Sequence, residues 1–190
     1  MKLKSIRESN AKGYLILCVM NERNDEFFTV SESQYRAIGS PEVNEELSEK
    51  AFYMLNTYKE YNLAEKRALG ILSYGDNSEK QLMNKLFRAG FPKKTIEAVT
   101  KRMVELSYID EEKQLRRLIS LELNSNLSGP KKYTRKLYSK GYSVSKIKAI
   151  TDELIQSGEV DFEKTKRAII EKFAPQDEET KKALLYKRGF

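Results

Sequence analysis

Histidine is absent from this 190-residue chain. That removes imidazole general acid–base work, Ser–His and Cys–His nucleophile pairs, and most zinc sites. There is a single cysteine, Cys18, which permits no internal disulfide and cannot build a metal cluster. Its apolar neighbours predict a buried thiol in a reducing compartment. Neither a G-x-x-x-x-G-K-S/T phosphate loop nor a G-x-G-x-x-G turn occurs. Four prolines and nine glycines are too few for a disordered or all-β protein. No apolar run approaches a membrane span, and no basic-then-apolar leader opens the chain, so a cytoplasmic location is expected. The carboxylate runs Asp110-Glu111-Glu112 and Asp177-Glu178-Glu179 are better explained by the positive end of a helix dipole than by a bound ion. The expectation is a protein with no catalytic residue, no metal and no cofactor, and therefore no enzyme.

What is present is charge and repetition. Charged residues make up 33% of the chain, with a net charge of +7. Residues 1–60 hold 8 Lys/Arg against 10 Asp/Glu, while the remainder holds 27 against 18. The positive charge thus belongs to the later part, which is also rich in helix formers. A basic face favours a polyanionic partner or an acidic protein surface.

The heptapeptide Lys85-Leu86-Phe87-Arg88-Ala89-Gly90-Phe91 returns as Lys136-Leu137-Tyr138-Ser139-Lys140-Gly141-Tyr142. A third copy, Leu184-Leu185-Tyr186-Lys187-Arg188-Gly189-Phe190, ends the chain. A period of about 50 residues identifies a supersecondary unit copied in tandem. Around the first copy, Ser78 with Gln81 forms a capping box, Pro92 opens the next helix, and Ile96, Val99, Met103 and Leu106 form one apolar stripe. Asp110 caps a further helix to about Asn124. In the second copy Gly129-Pro130 opens the matching helix, Ile147, Ile150 and Leu154 repeat the stripe, and Val160-Asp161 repeats Ile109-Asp110. Leu86, Leu137, Leu185, Phe91, Tyr142 and Phe190 are read as packing residues, and Gly90, Gly141 and Gly189 as left-handed helix ends. The first helix of the first repeat is placed at about 60–73.

Ahead of the repeats, residues 2–6, 13–20 and 27–30 read as extended, with a turn at Asn21-Glu22-Arg23-Asn24-Asp25. Ser31 with Gln34 caps a short helix stopping at Gly39. The fold class is mainly α: tandem three-helix repeats in a curved, elongated array, preceded by a small N-terminal β-hairpin or meander. The units are 1–58 (β-hairpin plus helices), 59–109 and 110–160 (complete repeats), and 161–190 (a truncated third).

Cations recur in the second helix of each repeat and beside it: Lys85, Arg88, Lys93 and Lys94; Lys131, Lys132, Arg135, Lys136 and Lys140; Lys187 and Arg188. First helices add Arg116, Arg117, Lys166 and Arg167. Copied units carry equivalent cations along one side, where a periodic ligand such as a nucleic-acid backbone or a protein filament meets them repeatedly. Tyr133 and Tyr138 are interleaved with these lysines.

Ser78-Glu79-Lys80-Gln81-Leu82 at a helix start, Gly90-Phe91 at its end and Tyr108-Ile109-Asp110-Glu111-Glu112 after the next helix resemble the RecX regulatory proteins of bacteria. So do Ser128-Gly129-Pro130 and Arg188-Gly189-Phe190, over about residues 60–190. Lys113-Gln114-Leu115 departs from the family's aromatic-plus-alanine pattern, and the last helix of the third repeat is missing. The resemblance implies a non-enzymatic, monomeric modulator of the RecA recombinase. It would lie along the RecA–DNA filament, restrain strand exchange, ATP hydrolysis and co-protease activity, and so regulate DNA repair, recombination and the SOS response. Direct contact with single- or double-stranded DNA stays open. Two alternatives remain from the residues themselves: a helix-turn-helix-like transcription regulator, and a repeat scaffold that binds protein only.

Overall fold

A computed structural model describes residues 1–21 and 24–190. Strands β1 (Lys2–Glu8), β2 (Tyr14–Met20) and β3 (Asp25–Ser31) form an antiparallel sheet in the order β1-β2-β3. Register runs from Tyr14 opposite Ser31 to Met20 opposite Asp25, with an irregularity in β1 between Leu3 and Ser5. The expected meander is therefore present. Its β2–β3 turn falls partly outside the described residues; at its edge the Asn21 amide donates to the Asn24 carbonyl at 3.1 Å. Residues 42–47 run beside β1, where the Leu3 amide donates to Glu45 and the Leu47 amide to Met1. The start of the β1 edge is thereby covered.

Helix α1 (Glu32–Ala37) starts on the Ser31/Gln34 capping box. Helix α2 then runs from Glu49 to Ser73, starting at Ser48, whose hydroxyl accepts from the Ala51 amide. This differs from the expected 60–73. No glycine or proline interrupts residues 49–69, so nothing breaks the helix at the division drawn between residues 58 and 59. One element serves two cores. Ala51 and Leu55 pack with Leu3, Leu17, Val19, Phe28 and Val30 of the sheet. Ala64 and Ala68, further along, pack with Leu82, Leu86, Ile96, Val99 and Met103.

The remaining helices are α3 (Glu79–Arg88), α4 (Lys93–Glu105), α5 (Glu111–Asn124), α6 (Pro130–Ser139), α7 (Val144–Gln156), α8 (Phe162–Phe173) and α9 (Glu178–Arg188). The end of α2 packs with α3 and α4; α5, α6 and α7 enclose a third core of Leu115, Ile119, Leu123, Tyr133, Leu137, Ile147 and Leu154. Ser78, Asp110, Ser143, Asp161 and Asp177 each cap the helix that follows. Pro92 sits at the N-cap of α4 rather than inside it. Leu106 leaves the stripe and is 44% exposed, because α4 ends at Glu105 and the chain turns there. The third unit is thinner: α9 buries none of its residues fully, and Leu185 and Phe190 are only half-buried. Phe190 is anchored by an edge-to-face pair with Phe162, centroids 6.2 Å apart.

Candidate functional site

The heptapeptide corners join successive units. Ser78 caps α3 and also donates its hydroxyl proton to the Lys140 carbonyl at 2.7 Å, at the end of α6. One unit on, the start of α6 meets the end of α9: the Gly129 amide donates to Arg188 at 2.7 Å and the Lys131 amide to Gly189 at 3.1 Å. Each second helix therefore rests its N-terminus on the C-terminal glycine corner of the next. Gly141 and Gly189 have φ of +95° and +94°. A Cβ at Gly141 would lie 2.6 Å from the Ser78 hydroxyl oxygen, and one at Gly189 2.6 Å from the Lys132 Cβ. Gly90 shares the left-handed backbone but faces open space.

The aromatic after the heptapeptide leucine points away from this packing. Phe87, Tyr138 and Tyr186 are 71%, 58% and 77% exposed. At both junctions a lysine from the preceding unit reaches the ring: Lys80 lies 6.0 Å from the Tyr138 centroid and Lys131 5.9 Å from that of Tyr186. Both are cation–π contacts. Tyr133, by contrast, is buried, and burial pushes its phenol up.

The fifteen candidate cations separate by what they touch. Lys85 donates to the Asn77 side-chain oxygen at 2.6 Å, and Lys93 faces Glu97 at 3.8 Å. Arg116 bridges Glu112 and Glu153, and Arg117 pairs with Asp76. Lys136 pairs with Glu122, whose side chain is only 5% exposed; a carboxylate so buried needs its counter-charge. Lys166 pairs with Glu163 at 2.7 Å and lies over Phe190, and Arg167 donates to the Glu163 carbonyl. Arg188 donates to the Asn126 carbonyl at 3.2 Å and lies 4.5 Å from the Phe173 centroid. Lys131 donates to the Phe190 oxygen at 3.5 Å. Among the described residues, Arg88, Lys94, Lys132, Arg135, Lys140 and Lys187 have no carboxylate partner.

Three of these unpaired cations converge with Lys131. Lys131, Lys132, Arg135 and Lys187, with Tyr186 and Gly189, line a cavity of about 360 Å³ where α6 meets α9. Lys131 and Arg135 also line the neighbouring hollow with Pro130, Thr134, Tyr138 and Val144. A surface joining unpaired cations to exposed rings attracts anions and flat π-systems together. The other junction is different. There a cavity of about 410 Å³ is lined by Glu79, Asp110, Glu111 and Glu112 with Lys146. Lys146 reaches Glu111 at 2.6 Å and Glu79 at 3.6 Å, and the hydrogen bond to Glu111 holds its ammonium pKa above the usual lysine value. Lys146 thus ties α7, α5 and α3 together.

Sequence reading picked out the convergent cations and Tyr138 among them, but not Tyr186 as the matching ring at the next junction. The recurring aromatic was already visible as Phe87, Tyr138 and Tyr186; an exposed aromatic repeated at equivalent positions is a signal that packing does not account for. Among the described residues, no group of three or more His, Cys, Asp or Glu side chains is placed to hold a metal ion. No helix among them is long and apolar enough to cross a membrane.

Residues 64–103 match the family model described as the first three-helix domain of RecX. The chain is 31% identical over 94 residues to the Regulatory protein RecX of Clostridioides difficile (strain 630), a match covering 50% of this chain and 44% of that relative's length. A solved structure titled regulatory protein RecX superposes with a TM-score of 0.72 at 21% identity, covering 100% of this chain and 94% of that one. RecX from Lactobacillus salivarius superposes with a TM-score of 0.58 at 18% identity, covering 70% and 89%. The last two likenesses are of fold.

Proposed function

We propose that this chain is a regulatory protein of the RecX type, a non-enzymatic cytoplasmic regulator acting as a monomer on the RecA–DNA filament, a reading supported by the match of residues 64–103 to the first three-helix domain of RecX. In this reading the units 59–109, 110–160 and 161–190 meet successive parts of the filament in an elongated array. Together they restrain ATP hydrolysis, strand exchange and co-protease activity. The observation that carries the reading is the repeated meeting of one second helix's start with the next one's glycine corner, along a fold shared with RecX, with Lys131, Lys132, Arg135 and Lys187 gathered at the last of these junctions. A surface touching several sites of a polymer gains avidity that an isolated subunit cannot offer.

The test is RecA ATPase on single-stranded DNA. Inhibition at micromolar protein is expected, and it should weaken as salt rises. No inhibition at that concentration overturns the reading. Charge reversal of Lys131, Lys132, Arg135 and Lys187 to glutamate should abolish inhibition while leaving the circular dichroism spectrum unchanged. Lys136 is excluded from that set, because its reversal would place a second carboxylate against the buried Glu122.

A further inference from the structure

The geometry points to a direct seat for single-stranded nucleic acid at the unit junctions, with Tyr138 and Tyr186 stacking bases and Lys131, Lys132, Arg135 and Lys187 holding the phosphates between them. The inference rests on the reading of the cationic junctions as functional, and it assigns part of that surface to the nucleic acid rather than to RecA protein.

Three observations converge on it. The cavity at the α6–α9 junction is bounded by four cations; Lys132, Arg135 and Lys187 have no carboxylate partner among the described residues, and Lys131 holds only the Phe190 oxygen, at 3.5 Å. A site of that kind concentrates anions, and the phosphodiester is the anion that comes as a chain. The cavity also adjoins the hollow beside Tyr138, the two sharing Lys131 and Arg135 as walls. One ring therefore stands at each end of the cationic patch, Tyr186 in the cavity and Tyr138 in the hollow. Finally, both rings remain 58% and 77% exposed although a lysine already lies against each. Those lysines, Lys80 and Lys131, keep a positive charge beside the rings. An exposed ring with a cation at its side is the platform that sequence-tolerant single-strand binders use, because every base has a π-face. A free nucleotide would use one ring; two equivalent rings on adjoining cationic hollows fit a polymer.

The measurement is fluorescence anisotropy of labelled oligothymidylate, long enough to span both junctions, with the full chain and no RecA. An oligouridylate arm assigns the sugar, and a strand of the same length made of abasic sites carries the phosphates without bases. Tyr138→Leu and Tyr186→Leu should each weaken binding of the base-bearing strand by roughly tenfold. Neither should alter binding of the abasic strand or the salt slope. Lys132→Gln, Arg135→Gln and Lys187→Gln should weaken both strands, and each should reduce the slope of log K against log salt by about 0.7. The proposal is overturned if wild-type protein binds no base-bearing strand, or if it binds base-bearing and abasic strands alike. It is also overturned if the tyrosine variants bind oligothymidylate like wild type yet fail to inhibit RecA ATPase. In that last case the rings touch protein, and the reading of the chain as a RecA regulator survives.

Discussion

Thr100 and Thr151 occupy equivalent positions in α4 and α7, yet only one hydroxyl is satisfied. Thr151 donates to the Ile147 carbonyl at 2.8 Å and shares a 3.1 Å hydrogen bond with the buried Tyr133 hydroxyl. The position equivalent to Tyr133 in the preceding unit is Leu82, and the Thr100 hydroxyl is buried without a partner. An unmade buried hydrogen bond costs more than a made one gains. Thr100→Val should therefore be neutral or stabilising by up to about 1 kcal/mol, whereas Thr151→Val strands the Tyr133 hydroxyl and should cost about 1–3 kcal/mol. Urea unfolding of the two variants checks both signs. At this scale the sequence shows the apolar stripe recurring around the two threonines, but not the burial of either or the missing partner of Thr100. Those depend on whether a tyrosine or a leucine stands one helix away. The same limit applies to Lys136: its spacing placed it among the free cations, and only the fold brings the buried Glu122 against it.

At the scale of the element, the recurring glycine carries two constraints in two of its three copies. All three have positive φ, a backbone that an L-residue adopts at a cost of about 1–2 kcal/mol. Gly90→Ala meets nothing and should lose about that amount. Gly141→Ala must also displace the Ser78 hydroxyl, which caps α3 and bonds Lys140, so its loss should be larger by about a further 1 kcal/mol. Thermal unfolding of the pair, with Ser78→Ala as the control for the cap, measures the difference. A loss at Gly141 no greater than at Gly90 would show that the junction yields freely. The left-handed helix ends were legible in the heptapeptide itself, because glycine after a basic last turn is a local signal. The junctions were not, since they join residues about 60 positions apart, as the Ser78–Lys140 bond does.

For the whole molecule, stability falls along the array. The first two units enclose cores of fully buried leucine, isoleucine and valine, while α9 contributes no buried residue and holds on through the Gly129–Arg188 and Lys131–Gly189 hydrogen bonds and the Phe162–Phe190 contact. In an array whose units touch only neighbours, such an end opens by itself. Amide hydrogen exchange should find α9 exchanging first, then α8, with α4 and α7 slowest. Protection of α9 equal to that of α7 would contradict this. The mainly helical class and the order of elements were readable from periodicity and caps. The length of α2 was not, because a weakly patterned first helix gave no sign that it continued back to Glu49.

That length has a mechanical consequence. At about 1.5 Å per residue, the 25 residues of α2 form a rod of roughly 37 Å with one end clamped in the sheet and the other in the first helical unit. A tug on the sheet is thus delivered to α3 and α4 without passing through a swivel. Asn62, bonded to the Thr29 carbonyl, and Lys59, paired with Glu26, rivet the middle of the rod to β3. Load applied at one end of residues 1–109 is borne by both cores together, so this stretch resists force as a single body.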